Sequence, residues 1–434
     1  MTHAHTTVMG KVPDTPPSAP IKDRFMGVDV GRGVALLAML GANVSYVTLT
    51  DDDTVTLSGM TVIGRSATLF VMVAGISLAF ISGGRRPVQG TARRAARANI
   101  AVRALLIGLI GLALSYVAPP DLGVILTYYG VFFLLAIPLI GLRPRILIGI
   151  AGALVVAGPL VLMAASYWDW PAPFDSDPTL SAPFTDPLGL LLQLLVTGTY
   201  PAVVYMAYIC VGLAIGRLDL SSPRVALRLL VGGLALALAA WSASWLLLER
   251  LGGLQALLTY SGPGTTPNQI IWDGELAESW WWLATRVHHS GAPLDMLHTL
   301  GSAMAVLGAV LLLTRLSVAR RLLRPVALAG AMTLTVYSAH AFVLGSSLRI
   351  ENELALYLAL VGAALVFAVL WHRWLGQGPL ERLVAIPADR ARAAVLAGRF
   401  PPRSAPSARG ATTSRPPVPG PRDPLPPRDR RPGQ

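Results

Sequence analysis

The chain of 434 residues holds one cysteine, Cys210. A single thiol builds no disulfide framework and no zinc or iron–sulfur site. Charge is scarce as well. Asp, Glu, Lys and Arg make up 13% of the residues, against roughly 25% in a soluble domain. Lysine is nearly missing: Lys11 and Lys22 are the only two, so the net charge of +12 is carried by arginine. No Walker loop, HExxH, GxSxG or dinucleotide fingerprint stands in a fitting context. The first 25 residues are polar and Pro-rich. They lack the basic-then-apolar pattern of a cleaved signal peptide, so the first apolar segment is expected to stay in the membrane.

Long apolar runs are what the chain has in quantity. Spans are predicted at Val30–Thr48, Thr61–Ile81, Asn99–Val117, Leu122–Leu142, Ile146–Ser166, Thr199–Gly216, Val225–Leu248, Leu294–Thr314, Val326–Ser346 and Leu354–Trp371. About 20 apolar residues cross a bilayer. The fold class is therefore all-α, a polytopic membrane bundle of about ten transmembrane helices. Leu188–Val196 reads as a re-entrant or interfacial piece before the sixth span. Nothing in the sequence marks a broken helix or an ion site, and no internal repeat is visible.

Arginine sets the orientation. One set of loops carries Lys22 and Arg24, then Arg85, Arg86 and Arg93, then Arg143 and Arg145, then Arg217 and Arg224, then Arg315 and Arg320. The other set holds Asp51, Asp52, Asp53, Asp121, Asp169, Asp175, Asp177 and Asp186. The positive-inside rule places both termini in the cytoplasm and makes the protein a multi-pass component of the plasma membrane. The excess charge then reads as orientation and attraction to anionic membrane lipid, with no nucleic acid partner.

Three regions follow: 1–25, a disordered cytoplasmic N-terminus; 26–381, the transmembrane domain; and 382–434, an Arg/Pro-rich tail that is amphipathic, then disordered. The Pro-rich pieces of the tail fit either an SH3-type ligand or a plain solvated end. Two external loops are long. Tyr167–Pro187 carries Trp168 and Trp170, and Glu249–Pro293 carries Trp280-Trp281-Trp282 and His288-His289. Tryptophans near span ends serve as interfacial anchors or as stacking surfaces for a substrate.

Charge inside an apolar span is costly and marks candidate sites. Arg32 lies near the cytoplasmic end of the first span. It reads as a snorkelling arginine, as the partner of Asp29 one turn earlier, or as an anion clamp for phosphate groups. Arg65 is placed one turn inside the second span from its external end, among small residues, and reads as a site residue or as an outward snorkel. His340 falls in the external half of the ninth span, near the expected depth of Arg65, with Tyr337 on the same face. It is either a hydrogen-bonded core histidine or a general base. Asn43 and Tyr46 approach the external end of the first span, and Asp295 opens the eighth. His289, with His288, lacks the further ligands of a specific metal site; it is a base near the outer mouth or a plain loop residue.

The stretch Arg24-Phe-Met-Gly-Val-Asp29-Val-Gly-Arg32-Gly33 resembles the opening of the transmembrane acyltransferase superfamily, in its heparan-α-glucosaminide N-acetyltransferase-like branch. Gly64-Arg65-Ser-Ala-Thr in the second span, Thr197-Gly-Thr-Tyr200-Pro201, Gly212 to Asp219, and the closing Gly376-x-Gly378-Pro379-Leu380-Glu381 extend the likeness from Arg24 to Glu381. The resemblance implies an acyltransferase that takes acetyl from cytoplasmic acetyl-CoA, or another acyl-CoA, and passes it to a glycan or lipid-linked sugar acceptor of the cell envelope. It implies no metal. Arginines, here Arg32, would hold the CoA phosphates, a histidine would serve as base, and a donor would stabilise the oxyanion. Related enzymes place the histidine after the arginine of the first span or in the loop before the second. Here those places hold Asn43 and Asp51-Asp52-Asp53-Thr54. The role of base is therefore expected to pass to His340, His289 or an external aspartate such as Asp295, with Arg65 beside them and Asn43 as an oxyanion donor. A transporter or flippase, an inactive relative and a scaffold acting through its tail remain open, as does assembly into a homo-oligomer.

Overall fold

A computed structural model describes residues 26–45, 49–120, 122–166, 177–274, 279–348 and 350–398. The expected disorder of 1–25 and of the end of the tail, and the placement of Tyr46, Trp168 and Trp170, lie outside the described residues. Among those described there is no β-strand beyond one isolated bridge, Leu49 to Val55.

Ten apolar segments form the bundle. The first five are α1 (Met26–Val44), α2 (Arg65–Ile81), α3 (Gly90–Leu114), α4 (Ile125–Ala136) and α5 (Pro144–Ser166). Then come α6 (Ala202–Ile215), α7 (Pro223–Trp245), α8 (Pro293–Leu313), the pair α9 (Arg324–Ala331) and α10 (Thr333–Leu344), and α11 (Glu353–Trp374). Seven helices are long and apolar enough to cross a membrane singly. Two further spans are bent pairs: α9 meets α10 at 84°, contrary to the unbroken ninth span read from the sequence, and Pro187–Thr197 meets α6 at 58°, where the sequence set the re-entrant or interfacial piece Leu188–Val196 apart from the sixth span. The fourth segment, α4, is short, with 12 residues.

The helices sort by burial. α2 and α6 are buried on nearly every side and form the centre, whereas α3, α5, α7 and α11 turn much of their surface outward. The outward face is apolar, with Leu105, Val156, Leu238 and Leu358 exposed, as lipid contact requires. In lipid the apolar faces gain nothing by meeting, so close backbone approach has to supply the attraction. Gly212 of α6 does this against α2. A methyl group there would fall 2.0 Å from the carbonyl oxygen of Met72.

Buried polar groups fix the ends. Arg217, 6% exposed, follows α6. Its guanidinium donates to the carbonyls of Ala79 at 3.1 Å and Gly84 at 2.6 Å, to the Ser82 hydroxyl at 2.8 Å, and to the carbonyl of Ile140. A cation thus satisfies the orphan carbonyls at the C-terminus of α2. Glu381 opens the amphipathic helix α12 (Pro379–Leu396) and caps α10. It accepts from the amides of Leu334 at 2.7 Å and Thr335 at 3.1 Å, and from the Thr335 hydroxyl at 2.6 Å. An anion at that N-terminus holds α10 in the direction it takes after the break.

The long segment after α7 is folded, not loose. Its short helices Gly253–Ser261 and Pro267–Trp272 share a small core of Leu248, Leu257, Ile270 and Ala284. Thr266 and Asn268 tie it to Asp53 at 2.8 and 2.9 Å. This cap brings Trp282, His288 and His289 onto the bundle.

Candidate functional site

At the arginine-rich end, Arg32 takes one of its three readings, the ion pair within α1. It pairs with Asp29 at 3.2 Å, and it lines a cavity of about 270 Å³. The guanidinium also donates to the Gly330 carbonyl at 3.1 Å and the Ser77 hydroxyl at 2.7 Å. Arg103, Gln377, Glu381 and Tyr129 share the cavity wall. Arg103 was not singled out in the sequence. It is steered by Asn99 at 2.9 Å, with Asp389 of α12 at 3.9 Å.

Tyr129 leads inward. It lies within electrostatic reach of both Arg32 and Tyr337, and its hydroxyl has no hydrogen-bond partner. Tyr337 in turn packs edge-on against His340, with ring centres 4.8 Å apart. Its hydroxyl donates to the Gly123 carbonyl and accepts from the Ile125 amide, both at 3.3 Å.

His340 is 2% exposed. Its Nε2 lies 2.9 Å from Nδ2 of Asn43. With the Asn43 amide nitrogen assigned toward the ring, Nε2 is the acceptor and the ring proton is assigned to Nδ1, a buried atom without a hydrogen-bond partner. The asparagine that occupies the place of an expected histidine therefore touches a histidine supplied by α10. Asn43 lies eleven positions after Arg32, about 16 Å along α1 at about 1.5 Å per residue.

Arg65 belongs to a different neighbourhood, not to that of His340. The turn Val62–Gly64 separates Leu57–Thr61 from α2, so Arg65 opens α2 while lying inside the apolar span Leu57–Ile81. Gly64 makes that turn at φ +74°, with His288 so close that a methyl group would come within 2.9 Å of its Cβ. Arg65 donates to Gly59 at 3.4 Å and approaches Nε2 of His298 at 3.5 Å. Nδ1 of His298 donates to the Ala237 carbonyl at 3.1 Å. Asp295, 5% exposed, and Arg286 complete this electrostatic cluster. His298 and Arg286 were missed in the sequence. The signal for His298 was its position three residues after Asp295, on the same helix face.

His289 faces a third place, a cavity of about 370 Å³ under the cap. Its Nδ1 lies 2.9 Å from the Tyr205 hydroxyl, and its ring meets Tyr200 edge-on at 5.2 Å. Burial, with His288 alongside, pushes its pKa down to about 3, so it is neutral at ordinary pH. A line of rings joins the cavities: Tyr129 meets Phe132 at 5.8 Å, and Phe132 stacks on Tyr205 at 5.9 Å. Among the described residues no group of three His, Cys, Asp or Glu is placed to hold a metal ion.

The sequence matches the catalytic-domain profile of heparan-alpha-glucosaminide N-acetyltransferase over residues 24–248. The chain belongs to that family. It is a membrane protein of an acetyltransferase family, and the match covers α1 to α7, including Arg32, Asn43 and Arg65. His289, Asp295 and His340 come from the segment beyond it. No curated protein matches the chain.

Proposed function

We propose that the protein transfers acetyl from cytoplasmic acetyl-CoA to a sugar-type acceptor of the cell envelope, in the plasma membrane. The observation that carries this reading is the 2.9 Å contact between Asn43 and His340 in a chain of this family. Arg32 and Arg103 flank the inner cavity and take the CoA phosphates, for which the planar guanidinium fork is suited. The cavity, about 270 Å³, admits a thin chain more readily than a nucleotide. The acyl end is then directed past Tyr129 toward Tyr337 and His340.

His340 is the general base. Its Nε2 carries the free lone pair, now capped by Asn43. An acceptor hydroxyl or amine that displaces the asparagine gives its proton to Nε2 as it attacks the thioester carbonyl. The displaced Asn43 amide then donates to the oxygen on which negative charge develops. The tetrahedral intermediate collapses with loss of the CoA thiolate, which takes up the proton held by His340. Tyr337 packs the imidazole in place, and Glu381 holds the helix that carries it.

A second reading is a transporter or flippase, favoured by the two broken spans, since interrupted helices often surround a transported substrate. Acetyl-CoA binding separates the two. Titration of the purified protein in nanodiscs with acetyl-CoA is expected to show binding that weakens at least about tenfold in Arg32→Ala, the loss of a charge-assisted hydrogen bond. Absence of binding to the unaltered protein would support the transporter and overturn the transferase.

A further inference from the structure

We propose that α12 is a docking surface for anionic phospholipid: its outward face binds acidic headgroups at the arginine-rich end of the bundle, and its inward face passes that occupancy to the inner cavity. This goes beyond the pull of scattered arginines on a charged leaflet, because one helix carries both faces. It does not depend on what the cavity holds.

The position of α12 is set by a short tether. α11 ends at Trp374, which is exposed, and only Leu375–Gly378 separates it from α12. Such a link spans at most about 14 Å when extended. The Trp371 indole holds it in, donating to the Gln377 carbonyl at 3.0 Å. A helix tied this closely to the end of a span starts at the membrane boundary, where tryptophan is at home.

The outward face suits that place. Leu383, Ile386 and Arg390 fall at i, i+3 and i+7 on one stripe of the helix, and all three are exposed. Arg382 lies beside them, and Arg392 and Leu396 are exposed further along. Apolar side chains among arginines are the pattern of a helix seated between headgroups and acyl chains. Pro387 withdraws the N–H that would meet the Leu383 carbonyl. Water or a headgroup can satisfy that carbonyl, and hydrocarbon cannot.

Charge decides the kind of lipid. Both acids of α12 are engaged with the bundle. Glu381 accepts from the α10 amides, and Asp389 accepts from the Asn99 side chain at 2.9 Å. The guanidinium groups of Arg382, Arg390 and Arg392 form no hydrogen bond or ion pair with the described residues. Each arginine beside an anionic leaflet strengthens binding about fivefold.

The inward face builds the cavity. Glu381 and Val384 line it, and Asp389 stands 3.9 Å from Arg103, which lines it too. Glu381 also caps α10, the helix of His340. Lipid held on one face of α12 thereby steadies the cavity wall and the start of α10 on the other.

The test uses the full chain in nanodiscs. Ala393 is exposed on the same stripe, so Ala393→Cys can carry a benzophenone while the buried Cys210 stays unlabelled. In discs of equal phosphatidylglycerol and phosphatidylcholine, photo-crosslinks to the anionic lipid are expected to exceed the others at least about fivefold. The preference should vanish in Arg382→Gln/Arg390→Gln and persist in Arg382→Lys/Arg390→Lys. Equal crosslinking of the two lipids, a preference unmoved by the glutamines, or crosslinks mainly to the chain's own tail or to a second copy would overturn the proposal. The coupling is read by hydrogen exchange at the amides of Leu334 and Thr335, which Glu381 accepts. Exchange should be about fivefold slower in phosphatidylglycerol discs than in phosphatidylcholine discs, with the difference lost in Arg382→Gln/Arg390→Gln. Equal exchange in the two discs would overturn the link to the cavity.

Discussion

The side chains of Asn43 and His340 meet at 2.9 Å although 297 positions separate them in the chain. The contact joins the C-terminal end of α1 to the helix that follows the sharpest break in the bundle. It makes two residues that were separate candidates in the sequence into one unit. If Asn43 is the oxyanion donor, Asn43→Ala lowers kcat by about 10²–10³. The double variant Asn43→Ala/His340→Ala should be little worse than His340→Ala alone, because members of one unit are not additive. Steady-state kinetics of the three variants checks this. Additive losses would mean that the two side chains act apart.

Glu381 is expected to act on the reaction through the direction of α10. Glu381→Ala removes the acceptor of two amides and a hydroxyl. Such losses at a helix N-terminus cost about 0.5–2 kcal/mol. Transfer should fall, with acetyl-CoA affinity little changed, and Glu381→Gln should recover much of the loss because its oxygen still accepts. A Glu381→Gln protein as impaired as Glu381→Ala would contradict this geometry.

At Gly212 the central helices approach backbone to backbone. Gly212→Ala puts a methyl group 2.0 Å from the Met72 carbonyl oxygen, where no flexible side chain can yield. Overpacking of this kind costs about 1–3 kcal/mol. Thermal unfolding in detergent should show a lowered Tm, whereas Gly232→Ala, which meets nothing within 4 Å, should leave it unchanged.

Much of the fold was legible in the sequence, because apolar runs of bilayer length have few other uses. Each expected span has its helical segment. The piece Leu188–Val196 was set apart from the sixth span, but the break at Met332 was lost to sequence reading, since hydropathy does not report backbone direction. The closing motif was visible as a resemblance, but its purpose, Glu381 capping α10, needs a contact across 46 positions. Arg65 was expected near His340 by depth alone. Depth fixes one coordinate of three, and the bundle turns Arg65 toward Asp295 and His298 instead. Trp280 and Trp282, adjacent in one run, illustrate the same limit: Trp280 is 71% exposed and Trp282 3%.

Asp177 gives the protein a pH signature. Burial raises its carboxyl to about 6, although the Val124 amide donates to it and favours the ionised form. Its ordinary value is 3.8. Between those values the folded chain keeps a proton that the unfolded chain releases, so stability falls as pH rises from about 3.8 to about 6 and then levels off. The accumulated cost is on the order of 3 kcal/mol. Asp177→Asn keeps an acceptor for Val124 and removes the ionisation. Its Tm should exceed that of the unaltered protein at pH 7 and match it near pH 3.5. Equal differences at both values would remove Asp177 as the titrating group.

The most direct test of the account is transfer of labelled acetyl from acetyl-CoA to an envelope extract by the purified protein and its His340→Ala variant. Transfer by the unaltered protein, reduced by about 10²–10⁴ in the variant, is the predicted result for a general base. No transfer by the unaltered protein, or the same rate in His340→Ala, would contradict it.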